Sequence, residues 1–108
     1  MSRPALTLTT ARTPLARMRG LLGKRGLEQG HGLVIVPCNA IHTLGMTFAI
    51  DVRFFNRQGA LVRTVLAVPP GKWFIWGGWS AHCVLETQAG DTTFSNLTQL
   101  PNEESHHD

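Results

Sequence analysis

One stretch constrains the fold more than any other: Phe48 to Phe55, which reads Phe-Ala-Ile-Asp-Val-Arg-Phe-Phe. Phe48, Ile50, Val52 and Phe54 alternate with Ala49, Asp51, Arg53 and Phe55, which is the period of a strand and not of a helix. The turn that feeds it, Ile41-His42-Thr43-Leu44-Gly45-Met46, sets polar groups directly before the strand, and Gly45 permits a bend. A strand entered through a histidine-bearing turn and carrying an aspartate is either structural or the edge of a ligand site. The residues leave both readings open. Should Asp51 point inward, it must be paired or multiply hydrogen-bonded, with Arg17 and Arg19 as long-range partners and Arg53 as the local one.

Around that strand the chain alternates between short apolar runs and turn residues. Ala5 to Thr10 reads as a first strand, rich in threonine. Thr13-Pro14 then opens a helix over residues 14–22, with Thr13 as N-cap and Pro14 in the first turn. Leu15, Met18 and Leu22 give that helix one apolar face, and Gly23 ends it. Gly20 inside a helix costs about 1 kcal/mol relative to alanine, which points to close packing against a sheet. Glycines flank His31, setting it in a loop, before an apolar strand at Leu33 to Val36 that Pro37 stops. Asn56-Arg57-Gln58-Gly59 has the length and final glycine of a hairpin turn joining Phe48–Phe55 to Ala60–Val68. Pro69-Pro70-Gly71 closes the second strand. The aromatic segment Trp73 to Trp79 reads as a loop that either fills one end of the core, the preferred reading, or forms an exposed patch for a partner or a membrane surface; Ala81 to Glu86 reads as a strand, and Thr92 to Leu97 as a last one. The pattern predicts a mainly β, α+β domain over residues 1–100: a small, mostly antiparallel, barrel-like sheet capped by one short N-terminal helix. A polar, disordered tail is expected over residues 101–108.

Three segments carry a resemblance. Arg17-Met18-Arg19-Gly20-Leu21-Leu22-Gly23, then Ile41-His42-Thr43 with Met46 and Ile50-Asp51-Val52-Arg53-Phe54, then Val84-Leu85-Glu86-Thr87-Gln88-Ala89-Gly90 follow one another as in the bacterial and archaeal family called domain of unknown function 192. The chain resembles that family from about residue 12 to about residue 90. The resemblance implies a small, mostly β, barrel-like domain and no activity. It also implies that an export leader can precede the domain. The first 20 residues lack the continuous apolar core of such a leader, so the expected compartment is the cytoplasm, or an exported one if a leader has been removed.

At 108 residues with 43% hydrophobic content, the chain is long enough for one packed core and no more. No apolar run approaches the ~20 residues that span a membrane. Two cysteines, Cys38 and Cys83, are too few for a disulfide framework. The net charge is +3, and six basic residues precede the first acid, Glu28. Those cations lie at residues 3–25 and the aromatics at 48–79, so the interleaving of single-strand nucleic acid binders is absent.

The chemistry-bearing residues form few constellations. Cys38 and His42 have C-x3-H spacing and His82 adjoins Cys83, but strand neighbours face opposite sides and zinc needs three or four converging ligands. Neither a metal nor a cofactor is expected. A nucleophilic cysteine needs an activating histidine and an electropositive setting; Cys38 instead follows an apolar strand. Arg17, Arg19, His42, Met46, Asp51 and Glu86 sit at the positions that match the family motifs and are the candidate binding residues. The leading reading is a non-enzymatic binding or accessory domain for a small ligand or a protein. The alternative is a small enzyme using His42 and Asp51 as acid and base in a pocket at the barrel mouth.

Overall fold

The structure, a computed structural model, describes residues 6–101 and the backbone of residues 106–107. Strand β1 (Thr7–Ala11) is followed by helix α1 (Pro14–Arg19) and strand β2 (His31–Ile35). Then come β3 (Ala40–Ile41), the hairpin of β4 (Ile50–Phe55) and β5 (Leu61–Val68), and β6 (Ile75–Trp76). Strand β7 (Cys83–Gln88), a 3-10 turn at Thr92–Phe94 and β8 (His106–His107) complete the chain. Six strands form one sheet in the order β5-β4-β7-β2-β1-β8, and β3 pairs with β6 in a separate ribbon.

The protein is mainly β with one short helix, as the pattern predicts. Strand β4 runs antiparallel to both β5 and β7, and β7 antiparallel to β2. Strand β2 lies parallel to β1, because α1 carries the chain back across the sheet before β2 begins. The sheet is therefore mixed and not wholly antiparallel. Among the described residues no strand pairing closes it into a ring.

Strand β4 sits between two neighbours and is buried along its whole length. Ile50, Val52 and Phe54 join Leu33, Ile35 and Val84 on one face, with Leu21, Met46 and Phe48 packed over them. Phe55, Leu85, Cys83, Val34 and Leu8 build the other face, covered by Phe94 of the 3-10 turn. Phe54 and Phe55 are wholly buried, and each contributes about 1.5–3 kcal/mol of hydrophobic stabilisation. Gly77 lies flat on the Phe54 ring, where a β-carbon would overlap it.

Asp51 projects from the second face at 4% exposure, with both carboxylate oxygens occupied. The Ala67 N–H donates to Oδ1 at 2.8 Å and the Gly90 N–H to Oδ2 at 3.0 Å. A register shift between Ile50 and Val52 marks a bulge in the pairing with β5, and Ala67 within it takes a φ of +54°. A bulge frees a backbone N–H from the ladder, and Asp51 supplies its acceptor. The partners of Asp51 are thus backbone amides and neither Arg17 nor Arg19.

Several expectations are corrected. The helix ends at Arg19, short of residue 22, because Gly20 caps it at a φ of +49°. Glycine is required there by that dihedral and not by close packing: a β-carbon would meet Ile35 only at 3.9 Å. Leu15 and Met18 point outward, 76% and 75% exposed, so α1 buries no residue fully. His31 begins β2 and does not lie in a loop. Thr92 to Leu97 starts as a 3-10 turn, capped by the Asp91 side chain, in place of a last strand. The aromatic loop does not fill the core: Trp73, Phe74 and Trp79 are exposed, while Trp76 meets Trp79 edge-on at 5.0 Å. Residues 102–105 and 108 of the expected disordered tail lie outside the described residues; the backbone of His106–His107 pairs with Thr9 and Thr10.

Replacing Asp51 with asparagine leaves one acceptor oxygen for two amide donors. Asp51→Asn is expected to lower stability by about 1–3 kcal/mol, read by urea denaturation, and the loss should be the same in an Arg17→Gln background. A loss that vanishes in that background would show an arginine partner instead.

Candidate functional site

Cross-strand register decides which polar groups meet. Residues opposite one another on β4 and β7 share a face: Val52 with Glu86, Asp51 with Thr87, Arg53 with Leu85. Glu86 therefore emerges on the α1 side and Asp51 on the other. Of the candidate binding residues, Arg17, Arg19, His42 and Glu86 line one cavity of about 400 Å³ between α1 and the sheet. Cys38, Asn39, Leu21, Ile35 and Ile41 contribute to its walls. That volume is in the range of small-molecule sites.

Each group reaches the cavity for a local reason. Thr13 accepts the Ala16 N–H and starts α1, which projects Arg17 and Arg19 from its last turn. Arg17 donates from Nη1 to the Pro37 carbonyl at 3.3 Å, while its Nε is buried with no partner. His42 follows β3, is exposed at the cavity edge, and accepts the Leu44 N–H at Nδ1. Met46, 9% exposed, packs in the core and does not line the cavity.

Glu86 differs from all of these. It is 3% exposed between Val52 and Leu33, and among the described residues no hydrogen bond or ion pair holds its carboxyl. Burial pushes its pKa from 4.5 up to about 7. The acids of the opposite face are treated differently. Burial alone would raise Asp91, but hydrogen bonds from Thr93 and Gly30, with the charge of Arg53, hold it below its ordinary value. Arg53, itself buried, donates to Thr87 Oγ1 at 3.4 Å. Desolvation lowers its pKa against the pull of Asp51 and Asp91.

The thiols are not poised for chemistry. Burial raises the Cys38 pKa, and the charge of Glu86 adds to the effect while Arg17 opposes it; the thiol donates to the Ala40 carbonyl at 3.1 Å. Cys83 is pushed up to about 11, first by burial. Among the described residues no three histidine, cysteine, aspartate or glutamate side chains cluster as metal ligands.

The family described as "Uncharacterized ACR", domain of unknown function 192, matches residues 1–99. The chain belongs to that family. No curated protein matches it. Two solved structures share the family member's fold. A protein of unknown function from Novosphingobium aromaticivorans is 15% identical, with a TM-score of 0.74 over 84% of this chain and 70% of its own. A protein from Sinorhizobium meliloti described as a candidate transcription regulator is 21% identical, with a TM-score of 0.74 over 85% of this chain and 75% of its own. Among the described residues of this family member, no helix is long and apolar enough to cross a membrane.

Of the residues that the sequence groups as candidates, Arg17, Arg19, His42 and Glu86 line one cavity, while the pleat sends Asp51 to the other face and Met46 packs in the core. Sequence reasoning gave no role to Asp91, whose position after Ala89-Gly90 was the available signal for a cap.

The raised value of Glu86 has a definite sign. The folded protein keeps a proton that the unfolded chain has already lost between pH 4.5 and about 7. Stability is therefore undiminished below pH 4.5, falls as pH rises toward 7, and above that is lower by about 3 kcal/mol. Glu86→Gln, which mimics the protonated acid, is expected to match the parent at pH 4.5 and exceed it by that amount at pH 8 in urea denaturation. Equal stability of the two at pH 8 would show that the acid carries no such burden.

Proposed function

We propose that this protein is a non-enzymatic binding domain that takes a small polar ligand into the cavity between α1 and the sheet. The observation that carries this reading is Glu86, a buried residue whose carboxyl has no hydrogen-bond or ion-pair partner among the described residues and which lines a space of about 400 Å³. A structural lock would bring Arg17 or Arg19 into an ion pair with it, since an unpaired buried charge is among the costliest features a fold can carry. Asp51 shows what the same sheet does with an acid that serves stability: both oxygens are filled. An acid left open in a cleft with a displaced pKa is the signature of a site that a ligand completes.

Binding is favoured over the acid–base alternative. His42 and Asp51 lie at different cavities, and the Asp51 oxygens are engaged by backbone amides. Cys38, with its raised pKa, offers no thiolate at neutral pH. The likeness to a regulator at 21% identity speaks for the fold alone.

A fragment screen read by amide chemical shifts of the labelled protein tests the reading. Hits are expected to move resonances at Arg17, Cys38, His42 and Glu86 together. They should lose affinity about tenfold or more in Glu86→Leu, in keeping with a lost charged hydrogen bond; that variant keeps the sheet face apolar. Hits confined to other surfaces, or unweakened by Glu86→Leu, would contradict it.

A further inference from the structure

The cavity between α1 and the sheet is bipolar, and its polarity selects a ligand. Its floor holds Glu86, buried and without a carboxyl partner among the described residues. Its roof holds Arg17, whose Nε is buried with no acceptor, and the exposed Arg19. No ion pair joins the acid to either arginine, although all three side chains line the same cavity. Between them the wall is apolar, with Leu21, Ile35 and Ile41.

We propose that the cavity binds a free apolar α-amino acid as its zwitterion, the ammonium on Glu86 and the carboxylate on Arg17. This inference rests on the binding-domain reading and names the ligand class for the same site. The argument is electrostatic. An anion alone would satisfy Arg17 but set a second negative charge against Glu86. A cation alone would satisfy Glu86 but be repelled by Arg17 and Arg19. A zwitterion meets both demands, adds no net charge to a low-dielectric space, and gives each unpaired group a charge-assisted hydrogen bond. The apolar wall takes a branched side chain, and about 400 Å³ accommodates it. The charged and titratable groups facing the bound ammonium are then Glu86, Arg17, Arg19, Cys38 and His42. Burial raises the Cys38 thiol, which keeps its proton across the neutral range, while the raised value of Glu86 falls within that range.

The test uses L-leucine and its two halves as probes, followed by amide chemical shifts of the full chain at neutral pH. Isopentylamine carries the amine without the carboxylate, and 4-methylpentanoate the carboxylate without the amine. L-leucine is expected to shift Arg17, Cys38 and Glu86 saturably, with each half weaker by about tenfold or more. Arg17→Gln and Glu86→Leu should each abolish the leucine response, and the unchanged dispersion of their spectra would show that both variants fold. A half-ligand that binds as well as leucine would overturn the zwitterion, while leaving the cavity as a binding site. Silence toward all three probes, with fragments still entering the cavity, would overturn it in the same way. Silence toward all probes and fragments would overturn both readings.

Discussion

Burying both faces of β4 obliges every polar side chain on it, and on the strand beside it, to find a partner inside the protein or do without one. Asp51 and Arg53 leave β4 on the face covered by Phe94, and both are engaged. Asp51 fills the bulge at Ala67 and holds the turn at Gly90, which ties β5 and the end of β7 to the centre of the sheet. Asp91 continues the same logic by holding Gly30 and starting the 3-10 turn that brings Phe94 into the core. One face of the sheet is therefore knitted by acids that accept backbone amides, a use of charge that costs little because each carboxylate oxygen is met.

The opposite face is built on another plan. There Val52, Leu33 and Val84 surround Glu86, and the helix above touches that core through Ala16 while burying no residue fully. Leu15 and Met18 face solvent, so α1 is held by its caps, by Arg17 on the Pro37 carbonyl and by Leu21 beyond its end. The space this leaves is bounded by an acid below and two arginines above. Within one strand pair the two faces thus differ: one carries acids engaged by backbone amides, the other an acid that lines a cavity.

Much of this was legible in the sequence, and what was not has physical causes. The alternation within Phe48 to Phe55, the Asn56–Gly59 turn and the Thr13-Pro14 cap encode local geometry, and they form, the strand itself starting at Ile50. The extent of α1 was misread because its apolar spacing promised a packed face, whereas the helix stops at Gly20 before that face can reach the sheet. Thr92 to Leu97 has the composition of a strand, but Asp91 caps its first turn and overrides it. The tryptophans were assigned to the core on hydrophobicity, which does not distinguish a buried ring from an exposed one. For the candidate site, the family motifs pointed to Glu86 and the arginines. The separation of Asp51 from Glu86 depends on a cross-strand register that no single segment contains.

Glu86 is buried without a carboxyl partner among the described residues, and the proposed ligand site depends on that. A pH titration of its side-chain carboxyl carbon by NMR in the unliganded protein tests that claim most directly. The account predicts a midpoint near 7, well above the ordinary 4.5. A midpoint at or below 4.5 would mean that the carboxylate is already paired or well solvated, and the site as described would not exist.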